Sequence, residues 1–169
     1  MGAGRHERAR VRGAQQRSTA DLEALFEAHW PRAFRAAYLV THDAAAAEDI
    51  AQEAFLSAIR NLDRFDRRRP FGPWLHRIVV NRAIDWTRAR RLRAEVELGE
   101  SQPAAENPRP PGEDVLAALA RLPPEHRAVI VMRYLLELTP GEIAEALGLP
   151  RGTVNSRLRR GLDRLGEEL

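Results

Sequence analysis

The chain has 169 residues, 44% of them hydrophobic and 30% charged, which suits one domain or two small ones and excludes a wholly disordered polymer. It has no cysteine, so disulfides and thiolate metal sites are ruled out; it also lacks an apolar run long enough for a membrane span or signal segment, and the expected location is cytoplasmic. The formal charge is only +3, yet all 27 basic residues are arginine, and nine of them fall between Arg67 and Arg93 against a single acid, Asp85. That clustering, more than the net charge, points to a polyanionic partner.

Residues 1–17 carry five arginines among Gly, Ala and Gln without apolar periodicity, and read as a disordered basic tail. A first domain, residues 18–94, opens with a helix cap at Ser18 to Asp21. Its first helix sets Leu22, Leu25, Phe26, Phe34, Ala37 and Tyr38 on one stripe, opposite Glu23, Glu27, Arg32 and Arg35. A second helix runs from near Asp43 to about Arg60, with Ala47, Ile50, Ala51, Ala54, Phe55, Ala58 and Ile59 on its buried face. Its other stripe holds Asp49, Gln52, Glu53, Leu56 and Arg60, and a leucine among acids there suggests a partner surface. Asp49 and Glu53, with Asp43 nearby, also form a weak carboxylate metal candidate, but no histidine joins them; neither a metal nor a cofactor is expected.

Asn61 to Arg69, NLDRFDRRR, has no helical period and is expected as a loop presenting Phe65 among Arg64, Arg67, Arg68 and Arg69. The helix that starts at Pro70 directs Phe71, Leu75, Ile78 and Val79 to a core. It leaves Trp74, Arg77, Asn81, Asp85 and Arg88 along another face. Such a face next to a basic aromatic loop suits single-stranded nucleic acid, because rings stack on bases and guanidinium groups hold phosphates. The competing reading keeps Trp74 in the core and pairs Asp85 with Arg77, Arg82 or Arg88.

Residues 95–113 are acidic, aperiodic and interrupted by Pro103, Pro108, Pro110 and Pro111, the composition of a flexible linker. Fully extended, such a segment reaches roughly 60 Å, about the rise of 17 base pairs. The second domain, residues 114–169, begins with Val115, Leu116, Leu119 and Leu122 on a short helix. After Pro123 and Pro124 comes a helix dominated by Ala128, Val129, Val131, Met132, Tyr134 and Leu135. Thr139 to Leu165 read as a helix-turn-helix. Thr139 caps, Pro140 suits the first helical position, Glu142 completes a capping box, and Gly148 supplies the positive φ of the turn. On the final helix Val154, Leu158, Leu162 or Gly161, and Leu165 face inward. Arg151, Asn155, Ser156, Arg159 and Arg160 face outward, as a major-groove helix requires. The fold class is therefore all-α: two small helical domains joined by a flexible linker, the second a four-helix domain with a helix-turn-helix.

The five histidines, His6, His29, His42, His76 and His126, are scattered, and no phosphate loop or nucleophile motif is present, so an enzyme is not expected.

The chain resembles the extracytoplasmic-function, or group IV, sigma factors of the sigma-70 family. The resemblance rests on Asp49-x-x-Gln52-Glu53-x-Phe55; on Phe71-x-x-Trp74-Leu75-x-x-Ile78-x-x-Asn81-x-x-x-Asp85 with Arg88, Arg90 and Arg91; and on Leu122-Pro123-Pro124-x-x-Arg127, Glu142-Ile143-Ala144 and Gly152-Thr153-Val154-x-Ser156-Arg157. It implies an alternative sigma factor that directs core RNA polymerase to promoters and helps melt them. Asp49, Gln52, Glu53 and Leu56 would meet the clamp helices of the largest polymerase subunit. Phe65, Arg67, Arg68, Arg69, Trp74, Arg77, Asn81 and Arg88 would hold the non-template single strand of the minus-10 element. Arg133, Arg151, Asn155, Ser156, Arg159 and Arg160 would meet duplex DNA at the minus-35 element, with Arg133 and Arg151 on phosphates. An anti-sigma factor is the further implied partner. The family usually has Lys or Arg where this chain has Asn155, and often a smaller or aromatic residue at Arg159, so minus-35 preference transfers least. The rival readings are a helix-turn-helix regulator that binds only duplex DNA and an adaptor that binds polymerase without promoter selectivity.

Overall fold

The computed structural model describes residues 3–97 and 113–169, and every regular element among them is helical. The arginine-rich start, expected to be disordered, is instead helix α1, Ala3–Gln15. Val11 and Ala14, three residues apart, share one face and are buried against the next helix. Nε2 of His29 lies 3.0 Å from Oε1 of Glu7 near the other end of α1. Two buried side chains are too short a stripe to register as a period in the sequence; tertiary packing makes this helix.

Helix α2, Thr19–Thr41, starts where expected, with Ser18 Oγ accepting from the Asp21 backbone N–H at 3.3 Å. Its buried face differs from the expected stripe. Leu25, Ala33, Ala36, Ala37 and Val40 face the core, while Phe26 is 40% exposed. Phe26, Trp30, Phe34 and Tyr38 follow one another every fourth residue as a ladder of rings at the rim, with centroids 4.8, 6.3 and 6.4 Å apart. Alanines at the contact let α2 approach its neighbours closely, which leaves the bulky rings no room except the edge.

Helix α3, Ala44–Arg60, is capped by Asp43, whose Oδ1 accepts from the Ala46 N–H at 3.0 Å. It buries Ala46, Ala47, Ile50, Ala51, Ala54, Phe55 and Ala58. Ile59, expected inside, is 45% exposed because Ala58 takes the last core position and the next residue lies a quarter turn away. A 3₁₀ turn at Leu62–Arg64 follows. Helix α4, Phe71–Glu97, then crosses α2 and α3 and buries Leu75, His76, Val79, Val80, Ala83 and Ile84. It continues through Glu97, so the first three residues of the expected linker are helical; residues 98–112 of that segment lie outside the described residues.

Helix α5, Glu113–Arg121, and helix α6, Pro124–Ile130, open the second half, and α6 runs on into a π turn at Val131–Leu135. Leu119 and Leu122 are buried, whereas Val115 and Leu116 stay largely exposed. Helix α7, Pro140–Leu147, has the expected capping box: Thr139 Oγ1 accepts from the Glu142 N–H at 3.3 Å, and Glu142 Oε2 accepts from the Thr139 N–H at 2.7 Å. Gly148 closes it at φ 63°, and the Leu149 N–H reaches the Ala144 carbonyl at 2.9 Å. Helix α8, Arg151–Glu167, packs Val154, Leu158 and Gly161 inward. A Cβ at Gly161 would stand 2.9 Å from Ile130 Cδ1, so this glycine, and not Leu162, lets α8 lie on α6.

The two halves touch. One apolar cluster runs through both. Polar contacts flank it: Arg32 Nε donates to the Leu135 carbonyl at 3.0 Å, Asn81 Nδ2 to the Ala146 carbonyl at 3.1 Å, and Arg88 Nε to Glu125 Oε1 at 3.3 Å.

Candidate nucleic-acid interfaces

Three surfaces emerge, each on a different part of this frame. On α3, Asp49, Gln52, Glu53 and Leu56 all lie on the solvent side, with Leu56 half exposed. The one-turn spacing keeps them on one stripe because the alanine face opposite is fixed against α2 and α4. Glu53 Oε2 lies 3.7 Å from Arg82 Nη1, and a groove of about 290 Å³ runs from Asp49 and Glu53 to Asp85 and Trp86. Asp43 does not join this stripe: it caps α3 and holds Arg90 at 2.8 Å, which keeps its carboxyl below the usual range, the Ala46 N–H contributing most. No three His, Cys, Asp or Glu converge as a metal site among the described residues.

The second surface is an open pocket of about 700 Å³ between the end of α3, the loop and α4, within the size range of small-ligand sites. Phe65, Arg69, Trp74 and Arg77 line it as the pattern predicts, together with Asn61, Arg64 and Asp66 of the same loop, and Ser57 and Ile78, which the pattern did not assign to this face, complete it. One expectation fails here. Phe65 is not presented to solvent but is 8% exposed, its ring 4.6 Å from Trp74 and 5.9 Å from Phe71. A loop without helical period still offered this ring an apolar seat, and burial of a phenyl group outweighs its exposure by about 2 kcal/mol. Trp74 reconciles both readings of it: half-buried, it packs on that core pair and still walls the pocket.

The loop arginines differ in freedom. Arg68 is tied within the loop, where Asp66 Oδ1 accepts both its backbone N–H and its Nε at 3.0 Å. Arg69 Nη1 reaches Glu145 of α7 at 3.3 Å, and Arg67 is exposed. Asn81 is engaged by Ala146, so α7 lies along one side of the pocket's wall, enclosing a second cavity of about 220 Å³ that also borders Trp74 and Arg77. Arg88 is exposed but paired with Glu125. Asp85 is not the partner of Arg82 or Arg88; Glu53 and Glu125 are.

The third surface is the outer side of α8. Arg151, Asn155, Arg159 and Arg160 are exposed and Ser156 is half-buried, one face of a helix whose opposite face is pinned by Val154, Leu158 and Gly161. Arg133 is different in kind: its Nη1 donates to the Leu138 carbonyl at 3.2 Å and so braces the entry to the helix-turn-helix. Arg127, 7% exposed, donates to the Leu122 carbonyl at 3.3 Å, and burial pulls its guanidinium pKa down to about 10. Neither brace is legible from spacing, since an arginine in an amphipathic pattern reads as solvent-facing.

Known proteins resemble the chain along most of its length. Residues 25–93 match the family Sigma-70 region 2, and residues 112–165 match Sigma-70, region 4. The chain is 35% identical over 178 aligned positions to the ECF RNA polymerase sigma factor SigW of Bacillus subtilis, covering 94% of this chain and 92% of that one. It is 36% identical over 158 positions to SigL of Mycobacterium tuberculosis, covering 89% of each. Among solved structures, CnrH, in complex with the cytosolic domain of CnrY, superposes with a TM-score of 0.70 at 26% identity over 95% of both chains. The sigma factor RpoE of Bartonella quintana, solved with the anti-sigma factor NepR, shares the fold at a TM-score of 0.72 and 24% identity, covering 88% of this chain and 96% of that one. With two sigma-70 regions in order, full-length relatives of one group and an α-helical fold to match, the chain belongs to the ECF, or group IV, sigma factors of the sigma-70 family, which direct RNA polymerase to promoters.

Proposed function

We propose that the three surfaces divide the work of promoter use. The α3 stripe of Asp49, Gln52, Glu53 and Leu56 grips the clamp helices of the largest polymerase subunit, acids supplying charge and the leucine an apolar anchor. The pocket of Arg64, Arg69, Trp74 and Arg77 receives a base extruded from the non-template strand. Arg67 and Arg88 hold its phosphates, and Asn81 lies along the strand's path. Extrusion costs a few kcal/mol, and stacking on Trp74 offsets about 1 to 3 kcal/mol of it. Phe65 supports that ring from beneath instead of stacking on the base itself. The α8 face of Asn155, Ser156, Arg159 and Arg160 reads the minus-35 major groove, with Arg151 on a phosphate.

The observation that carries this reading is the separation of the surfaces: an acidic stripe with an exposed leucine, a pocket walled by arginines and Trp74, and a cationic recognition helix occupy different elements of one chain. Because Asn81 and Arg69 are bound to α7, a strand that reaches Asn81 displaces those contacts, and the second half swings toward the minus-35 element. The protein works in the cytoplasm beside polymerase and DNA, and among the described residues no helix is long and apolar enough to cross a membrane. An anti-sigma factor restrains it, as RpoE is bound by NepR. The test is reconstituted transcription: with core polymerase the protein forms open complexes at promoters selected from a random library. Duplex binding without open complexes would overturn the assignment.

A further inference from the structure

The helix that the sequence disguised as a tail ends on the rim of the single-strand pocket. Nε2 of Gln15, the last residue of α1, donates to the Leu62 carbonyl at 2.8 Å and to the Phe65 carbonyl at 3.3 Å. These carbonyls bracket the 3₁₀ turn of residues 62–64, and the Phe65 N–H closes the same turn on the Leu62 carbonyl at 3.0 Å. One amide therefore ties both ends of the turn that seats Phe65. That ring in turn lies 4.6 Å from Trp74, the aromatic wall of the pocket.

The anchor is itself held. Val11, one turn back along α1, and the adjacent Ala14 are buried, so Gln15 reaches the loop from a docked helix and not from a mobile end. The chain leaves α1 through Arg17 at φ 64°, and Gln16, Arg17 and Ser18 N–H groups return to carbonyls of residues 12–14, which fixes the last turn. Leu62 and Phe65 are separated from Gln15 by 47 and 50 residues, so nothing local to the loop replaces this brace.

We infer that Gln15 is a positioning residue for base selection: it sets the geometry of the 62–65 turn and, through Phe65, the inclination of Trp74 toward an extruded base. This inference rests on the reading of the pocket as the single-strand site. Gln15 touches no DNA in it. Losing the side-chain donor frees two carbonyls to hydrate separately, lets the turn open, and loosens Phe65 beneath Trp74; the helix, α3 and α8 are left as they are.

The test uses full-length protein assembled with core polymerase and a library of fork-junction DNAs whose single-stranded segment is randomised. Gln15→Met and Gln15→Glu are close in size and lack the donor; Trp74→Ala removes the wall. The expected result is a base preference in wild type that falls about fivefold in Gln15→Met, the ratio equivalent to about 1 kcal/mol for one net hydrogen bond. Gln15→Glu, which sets a carboxylate against two carbonyls, falls further. Core-polymerase affinity and duplex minus-35 affinity stay within twofold by roughly the same measure of an unperturbed site. Unchanged base preference in both Gln15 variants, with preference lost in Trp74→Ala, would overturn the role of Gln15 and leave the pocket standing. No base preference in wild type would overturn both. Equal loss across single-strand, duplex and core binding, together with a lowered melting temperature, would make Gln15 a stability residue only and would also overturn the inference.

Discussion

The two surfaces proposed to meet DNA are built in opposite ways. The α8 face is one helix: Arg151, Asn155, Arg159 and Arg160 sit on it by the 3.6-residue period alone, and the opposite side is fixed by Val154, Leu158 and Gly161. The pocket is an assembly in which Gln15, Ser57, the 61–69 loop, Trp74 and Arg77 come from four segments, and α7 of the other half leans on its wall. The contrast teaches that a duplex reader can be rigid and preformed, since a major groove is already there to be entered. A single-strand reader must instead place a ring against a base that exists only after melting, and it takes its shape from contacts that are long-range in sequence.

The largest expected effect separates both proposed DNA surfaces from the proposed polymerase grip. Reversing Asp49 and Glu53 to Arg together is expected to cost at least about 2 kcal/mol of core-polymerase affinity, some thirtyfold, and to abolish promoter-specific initiation. Isolated duplex binding through α8 stays intact, and equal losses in both assays would remove the division of labour.

Comparable in size is a titration inside the first half, where α4 packs on α2. His76 is 5% exposed and its pKa is lowered to about 4, by burial first and then by His29 and Arg32. A depressed pKa means the unfolded chain binds the proton more tightly, so this stabilisation is complete above about pH 6.5 and is lost as pH falls toward 4. The loss for His76 is on the order of 3 kcal/mol. Denaturant unfolding at pH 7 and pH 5 reads about 2 kcal/mol of it, and His76→Leu reduces that slope. A slope unchanged in the variant would assign it elsewhere. His42 is likewise lowered to about 4, by burial and then by the charge of Arg127 across the contact between halves. Its NMR titration should move up when the halves part on polymerase binding, while that of His76 stays.

Asn155→Ala sharpens the duplex side: a preference at one minus-35 base pair should weaken by about 1 to 3 kcal/mol. Arg133→Ala should weaken all sequences alike, because it loosens the turn at Leu138 instead of removing a base contact. Selection from randomised promoters distinguishes them, and an unaltered consensus in Asn155→Ala takes that residue out of the reading set. Thr139→Ala, which removes the cap of α7, should cost about 1 kcal/mol in thermal unfolding. Smallest is Glu145→Ala, which frees Arg69 at the cost of one exposed ion pair worth at most about 0.5 kcal/mol. It should leave stability unchanged while raising single-strand affinity slightly, and a fall in that affinity would count against α7 as an obstacle.

How much of this is legible in the sequence follows one rule. Caps and turns are: Ser18, Thr139 with Glu142, and Gly148 act through atoms within four residues, so their spacing is their mechanism. The exposed stripes of α3 and α8 are legible for the same reason, and so are the two halves and the family. What escaped the sequence depended on which helix stands opposite. Val11 and Ala14 make α1 a helix only because α2 offers a surface, alanines displace Phe26 and Phe34 from the core because neighbours come close, and Phe65 goes inside because Phe71 and Trp74 are there to meet it. By itself the sequence determined the helices from α2 onward, their polarity and the identity of the chain's kin, since these are written in short periods and local hydrogen bonds. Only the tertiary structure decided that Gln15 reaches a loop 47 residues away and that α7 borders the pocket beside Trp74, because such contacts depend on helix packing angles and distances that no local pattern encodes.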